Sequence, residues 1–488
     1  MMRLAGLMAT VMLLGAAWPR GVEGQVPRGL IPAEAARQAG LTRAWFTRLP
    51  IDAARGSLAG IYLHVSPSEA HTVFEVADEG ERYVYSERDL DAFGRALGVE
   101  EARRLAEEKA GQIQKERNLA AAPSVQSYVI PRMRLYAASH RGGLMALDAH
   151  TGQTLWAIQV GNPNYPTTPA GANDTFVAVC NGSTIYIFLA KDGTLVWSRQ
   201  AVSAPGAGPA LSEQNYLFAP MLSGQVEILS LEDPRDHPRV VKSFGRVLSQ
   251  PTVSALSVAW SSDEGYLYVA NANGEGVRYQ LRASGPVLAS PAFAQPDRVY
   301  ATSLDGYLYC VQERRGNLLW RFSTGEPIHH PPVALGDLVL VITRTGKMYA
   351  LDGATAVERW VASGIEHYLA GSERRLYCLD RQGQLVALDR ASGQRLGAID
   401  ARGCDLPILN AQTDRIFLAS KSGLLQCLHE ADRPWPQVHW RLPPPARRGR
   451  PAMPTKAPGE DRAEPAPRES APSGEGPARG GADTASPF

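Results

Sequence analysis

The sequence predicts an all-β chain built mainly as an eight-bladed β-propeller of about 40-residue repeats, and three observations predict it. Glycines recur at Gly142, Gly182, Gly224, Gly265, Gly306, Gly346, Gly383 and Gly423, at intervals of 40, 42, 41, 41, 40, 37 and 40. Apolar residues on both sides of each glycine alternate with a period of two across Gly, Asn, Asp and Ser turns, the pattern of a tight hairpin. A tryptophan follows the glycine by 14 or 15 residues in four copies, at Trp156, Trp197, Trp320 and Trp360. Eight anchors at one period define a repeat array. A unit this small cannot bury both faces of its sheet alone, so units must stack sheet on sheet, and radial stacking gives a propeller. A linear β-solenoid is the competing arrangement, but its coils are shorter.

Taken from the N-terminus, residues 1–24 read as a secretory signal peptide. Arg3 supplies the positive start, 4–18 is an apolar run short for a bilayer span, and Val22 and Gly24 stand at −3 and −1 to a cut before Gln25. An uncleaved anchor is the alternative. The first cysteine is Cys180, so a lipoprotein anchor is not expected. Residues 25–120 form a separate α+β appendage. Strands are expected at 61–65, 72–76 and 82–85, then a helix over 99–118 with Ala102, Leu105, Ala106, Ala110 and Ile113 on one face. That stripe is expected to dock on the neighbouring domain, a partner protein being the other candidate.

The propeller is assigned to 125–442. In its fifth copy Asp305-Gly306 is the turn, with Val299, Ala301 and Ser303 before it and Leu308 and Cys310 after. Tyr279 takes the tryptophan place in the fourth copy, and Trp440 follows at a longer distance in the last. These rings are read as wedges between blades, because a ligand platform would not need one per repeat. Ring closure stays open: 127–130 completes either the first blade or the last. Residues 443–488 hold 11 Pro and 6 Gly and no Leu, Ile or Val, so this tail is expected to be disordered. Its Arg447, Arg448 and Arg450 offer peripheral contact with an anionic membrane surface, but acids downstream balance them.

Lys plus Arg number 50 against 49 Asp plus Glu, which disfavours a nucleic-acid role. Five cysteines without CxxC spacing exclude a disulfide scaffold and a CxxCH haem site. Cys310 and Cys427 hold equivalent places and are read as small core residues. Cys378 with Cys404 is a weak guess for a bridge. Asp148, Asp352 and Asp389 are read as turn caps. His329-His330 is a candidate contact at the central channel, without a third ligand at motif spacing. No GxSxG, HExxH, Walker or Rossmann pattern occurs.

The segments ALDAHTGQTLW (146–156), ALDGATAVERW (350–360) and DGYLYCVQERRGNLLWRFSTGEPI (305–328) resemble the repeat of the pyrroloquinoline-quinone-like propellers. That family holds both quinoprotein alcohol dehydrogenases and the non-catalytic BamB-type outer membrane protein assembly factors. The chain also resembles exported planctomycete-type proteins carrying such repeats behind a short N-terminal region. The likeness specifies fold strongly and function weakly. It implies eight blades, and for an enzyme a quinone held over Ca²⁺ with a carboxylate base and, in many members, a vicinal cysteine pair. No vicinal pair is present and the repeats are short and uniform. The expectation is therefore a non-catalytic cell-envelope scaffold, periplasmic or otherwise exported, that binds other envelope proteins. No catalytic, cofactor or metal residue is assigned, and neither PQQ nor calcium is expected. A quinoprotein dehydrogenase and a small-molecule or glycan binding module are the alternatives.

Overall fold

Each anchor glycine closes the hairpin between the second and third strands of an antiparallel sheet. Gly142 shows why the residue is needed: its φ is 87°, and a Cβ there would lie 2.3 Å from the Val160 carbonyl oxygen. The other seven anchors also have positive φ. The chain leaving the fourth strand folds back onto the anchor: the N–H groups of Val160, Ser243, Ala283, Thr324, Ile365 and Ala401 donate to the carbonyls of Gly142, Gly224, Gly265, Gly306, Gly346 and Gly383. This bond fixes the length of the third and fourth strands, and so the spacing of the repeat.

The computed structural model describes residues 28–51, 56–78 and 81–439. The expected signal, the Pro-rich tail and Trp440 lie outside them. Within the described residues eight sheets form a ring. Six are consecutive four-stranded blades, from Gly171–Ala172 through Leu195–Gln200 (blade 2) to Ile365–Gly371 through Arg395–Asp400 (blade 7). Eight apolar clusters lie one between each pair of neighbouring blades. For example, Tyr136, Leu144 and Trp156 meet Val177, Val179 and Phe188 between blades 1 and 2, and Trp45, Phe417 and Leu425 meet Met133 and Leu135 between blades 8 and 1. Stacking buries both faces of every sheet, which no single blade achieves.

The boundary expected at residue 125 is corrected by the strand pairing. Residues 41–48 pair with Leu424–Glu430 as the outer strand of blade 8, and 58–65 pair with 133–139 as the inner strand of blade 1. The ring is therefore closed by the N-terminal segment. Residues 127–130 complete neither blade; they pair with 71–74. Pairing of Leu41–Arg48 covers the otherwise open edge of blade 8, which a local reading of 127–130 leaves exposed.

What projects from the ring is a smaller arm. The strands Leu58–Asp78 and Val125–Ser139 run on past blade 1, Glu81–Ser86 adds a third strand, and the helix Gly98–Glu116 covers one face. Ala102, Ala106, Ala110 and Ile113 pack on Phe74 and Val76, so the apolar stripe is consumed by the arm's own sheet. The Trp435 indole N–H donates to Glu75 and its ring lies 6.1 Å from that of Tyr128, tying the arm to the segment after blade 8.

Candidate functional site

The repeat residues build the frame. Trp156, Trp197 and Trp360 donate their indole N–H to Ala190, Leu231 and Arg390 carbonyls of the following blade at 3.0, 3.1 and 2.9 Å, and Tyr279 donates its hydroxyl to Gln312. In the last blade this place belongs to Trp45. Trp45 is opposite Cys427 in register, as Trp320 is opposite Cys310, and it donates to Ala149 across the ring closure. Trp320 alone among the described wedge indoles has no acceptor. Asp148, Asp352 and Asp389 each accept two backbone N–H groups and a hydroxyl within their own turns, which is capping.

The reactive candidates resolve individually. All five cysteines are free and buried. Cys378 and Cys404 belong to different inter-blade cores, so the bridge guessed between them is absent. Burial pushes the thiols of Cys180, Cys310 and Cys427 up to about 12, far from thiolate chemistry at neutral pH. His330 meets His367 edge to face at 5.1 Å, while His329 is exposed. The two rings are brought together by the inner ends of blades 6 and 7.

A cluster that the sequence reading did not single out lies across blades 1, 2 and 3. His64 is on the inner strand of blade 1, and Asp174 and Glu213 sit in the first hairpin turns of blades 2 and 3. His64 Nε2 is 2.8 Å from Asp174 Oδ1, and one donor atom from each of the three residues lies within 4.8 Å of the others. The turn holding Asp174 is fixed by Asn173, whose Oδ1 accepts the N–H groups of Thr175 and Phe176 and whose amide donates to Ser212 and Asn215 of blade 3. The Asp174 backbone N–H donates to Glu213. At the root of the arm the pairing slips between Val65 and Ala70, and this irregularity delivers the Ser68 hydroxyl to Asp174.

The electrostatics divide the two acids. Desolvation pulls Asp174 upward, but hydrogen bonds from His64, Ser68 and Ser66 outweigh it and hold the carboxyl at about 2. Glu213 is exposed as a residue, and desolvation raises its carboxyl, with His64 opposing the rise and Asp174 adding to it. Tyr62, two residues before His64, is pushed up to about 12 by burial, with Glu213 and Tyr136 adding to it. Asp174 and Glu213 are 39 residues apart, one repeat, so aligning the repeats would have paired them; His64 lies 110 residues before Asp174 and carries no such signal.

Three comparisons bear on the greater part of the chain. A family model described as outer membrane protein assembly factor BamB matches residues 103–284 and 245–402. The outer membrane protein assembly factor BamB of Shewanella oneidensis is 23% identical over 307 residues, 60% of this chain and 68% of that protein. The crystal structure of BamB from Moraxella catarrhalis superposes with a TM-score of 0.51 at 16% identity, covering 61% of this chain and 91% of the other. The computationally designed Ika8 protein superposes with a TM-score of 0.50 at 17% identity, covering 61% and 93%. At these identities the structural likenesses speak to the fold alone.

Proposed function

Because the chain belongs to the BamB-like family of pyrroloquinoline-quinone-type repeat propellers, we propose that it is a non-catalytic scaffold of the cell envelope that holds other envelope proteins together. The observation that carries this reading is the family match over most of the ring, described by its name as an assembly factor. Three structural features support it. The blades are uniform and their connections short, the thiols are buried, and the repeated acids are spent on turns. The ring also carries an arm whose connecting loop exposes Leu90 and Phe93, at 68% and 82%. Large apolar side chains so exposed are suited to a protein contact.

We propose further that the protein works after export, with protein partners in the periplasm or at a membrane face, and without PQQ or calcium. The test is affinity capture of the tagged full-length chain from detergent-solubilised envelope. Enrichment of defined envelope proteins over a tag-only control is expected, with loss of that enrichment on Phe93→Asp. Recovery of nothing above background would overturn the scaffold reading. So would dye-linked alcohol oxidation after loading with PQQ and Ca²⁺, which is the outcome a quinoprotein dehydrogenase requires.

A further inference from the structure

We propose that His64, Asp174 and Glu213 form a binding site for one divalent first-row transition-metal cation, at the face where blades 1, 2 and 3 meet the root of the arm. The three donor atoms, within 4.8 Å of one another, are close enough to share one ion. Ligands at about 2.0–2.2 Å from a cation are themselves only a few ångströms apart. One imidazole and two carboxylates suit zinc, manganese or iron better than calcium, which prefers more numerous oxygen donors. His64 is 7% exposed and Asp174 has one carboxylate oxygen on His64 and the other on Ser68, so both are oriented by partners before any ion arrives.

A second observation, on the same face of blade 1, points to a ligand. The Tyr136 hydroxyl is fully buried, has Arg134 as its neighbour and no acceptor for its own hydrogen among the described residues, and lies near enough to Asp174 to feel its charge. Tyr136 and Arg134 are the register partners of Tyr62 and His64, so all four share one face of blade 1. Arg134 is 4% exposed and its Nε also has no acceptor among the described residues. Two unsatisfied donors beside the cluster call for an acceptor oxygen, and buried polar groups left unpaired are costly. A hydrated cation, or one carrying a small anion, supplies that oxygen. Binding takes the Nε2 lone pair of His64, so the hydrogen now shared with Asp174 moves to Nδ1 or leaves as a proton.

The site is independent of the scaffold reading, and its test needs no partner. Full-length protein is stripped with EDTA, then titrated with Zn²⁺, Mn²⁺ and Ca²⁺ by calorimetry, and with Co²⁺ by visible absorption. One equivalent of Zn²⁺ or Mn²⁺ and a Co²⁺ absorption band are expected, with Ca²⁺ at least tenfold weaker. Glu213→Gln is nearly isosteric on an exposed turn and keeps the fold; it is expected to lose tenfold or more in affinity, and His64→Gln more. Unchanged circular dichroism of both variants separates lost ligands from lost structure. Absence of uptake by the wild type, uptake unaltered in both variants, or Ca²⁺ binding as tightly as Zn²⁺ and Mn²⁺ would each overturn the proposal.

Discussion

Ala356 holds a place that glycine fills in its counterparts. Its N–H donates to Asp352 as Gly152, Gly193 and Gly393 donate to Asp148, Leu189 and Asp389. At those glycines a Cβ would lie 2.4–2.8 Å from the rings of Trp45, Trp156 and Trp360. Ala356 keeps the left-handed conformation, φ 63°, and carries the methyl. The ring that belongs there, Trp320, is left without an acceptor, and the Gly353 carbonyl takes the Tyr300 hydroxyl instead. Ala356→Gly is therefore expected to stabilise the protein by about 0.5–1 kcal/mol by relieving the strained backbone. A raised thermal midpoint checks this; an unchanged or lower one refutes it.

Asp414 sets a second residue-scale expectation. Burial pushes its carboxyl up to about 6 against the opposing pull of Arg415, and Oδ2 has no hydrogen-bond partner among the described residues. Glu430 adds to the rise and Arg433 opposes it. A folded-state value above the unfolded one of about 3.9 means that the folded chain binds the proton more tightly between them. Stability from this group is greatest below the unfolded value and falls as pH rises to about 6, by on the order of 2–3 kcal/mol. Asp414→Asn should flatten that slope, while leaving the buried Arg415 guanidinium without its carboxylate partner. Denaturation midpoints at pH 5 and 7.5 decide it.

At the scale of elements, the arm carries its own core, while its two long strands are shared with blade 1. Ala70 and Pro131 are paired where the strands leave the ring. Replacing 71–130 by an Asn-Gly turn should therefore preserve the propeller, since the blade 1 pairs from His64 and Arg134 inward remain. Near-native β-sheet circular dichroism and a cooperative melt are the expected results. Of the appendage read from sequence, 61–65 and 72–76 are two stretches of the one strand Leu58–Asp78, 82–85 lies in Glu81–Ser86 and the helix is Gly98–Glu116; only 61–65 belongs to the propeller and not to the arm. Local alternation marks a strand; it does not say which neighbour the strand pairs with. Blade 7 has Gly397 where six other blades place a ring, and there the helix Ala33–Gln38, with Ile31, Ala36 and Leu41, packs into the core between blades 7 and 8.

At the scale of the molecule, closure depends on Leu41–Arg48 and on the segment before it. Ile31 N–H donates to Gln426, and Gln426 donates to the Gly29 carbonyl at 2.7 Å. Deleting residues 25–50 should leave Leu424–Glu430 as an open, largely buried edge strand and open the cluster around Trp45, Phe417 and Leu425. Aggregation or loss of a cooperative melt is expected. A monomeric protein with an unaltered melt would show that the ring closes without that strand.

The amino-acid order alone dictated the eight anchor glycines, the hairpins they turn and the rings that wedge most blades, because sterics and hydrogen bonds within a few residues settle such choices. Tertiary structure alone decided that Trp45 completes the wedge series and that His64 meets Asp174 and Glu213. Those outcomes join residues far apart in the chain. They are fixed by the free energy of covering sheet edges and stacking faces around a closed ring, a quantity no short segment carries.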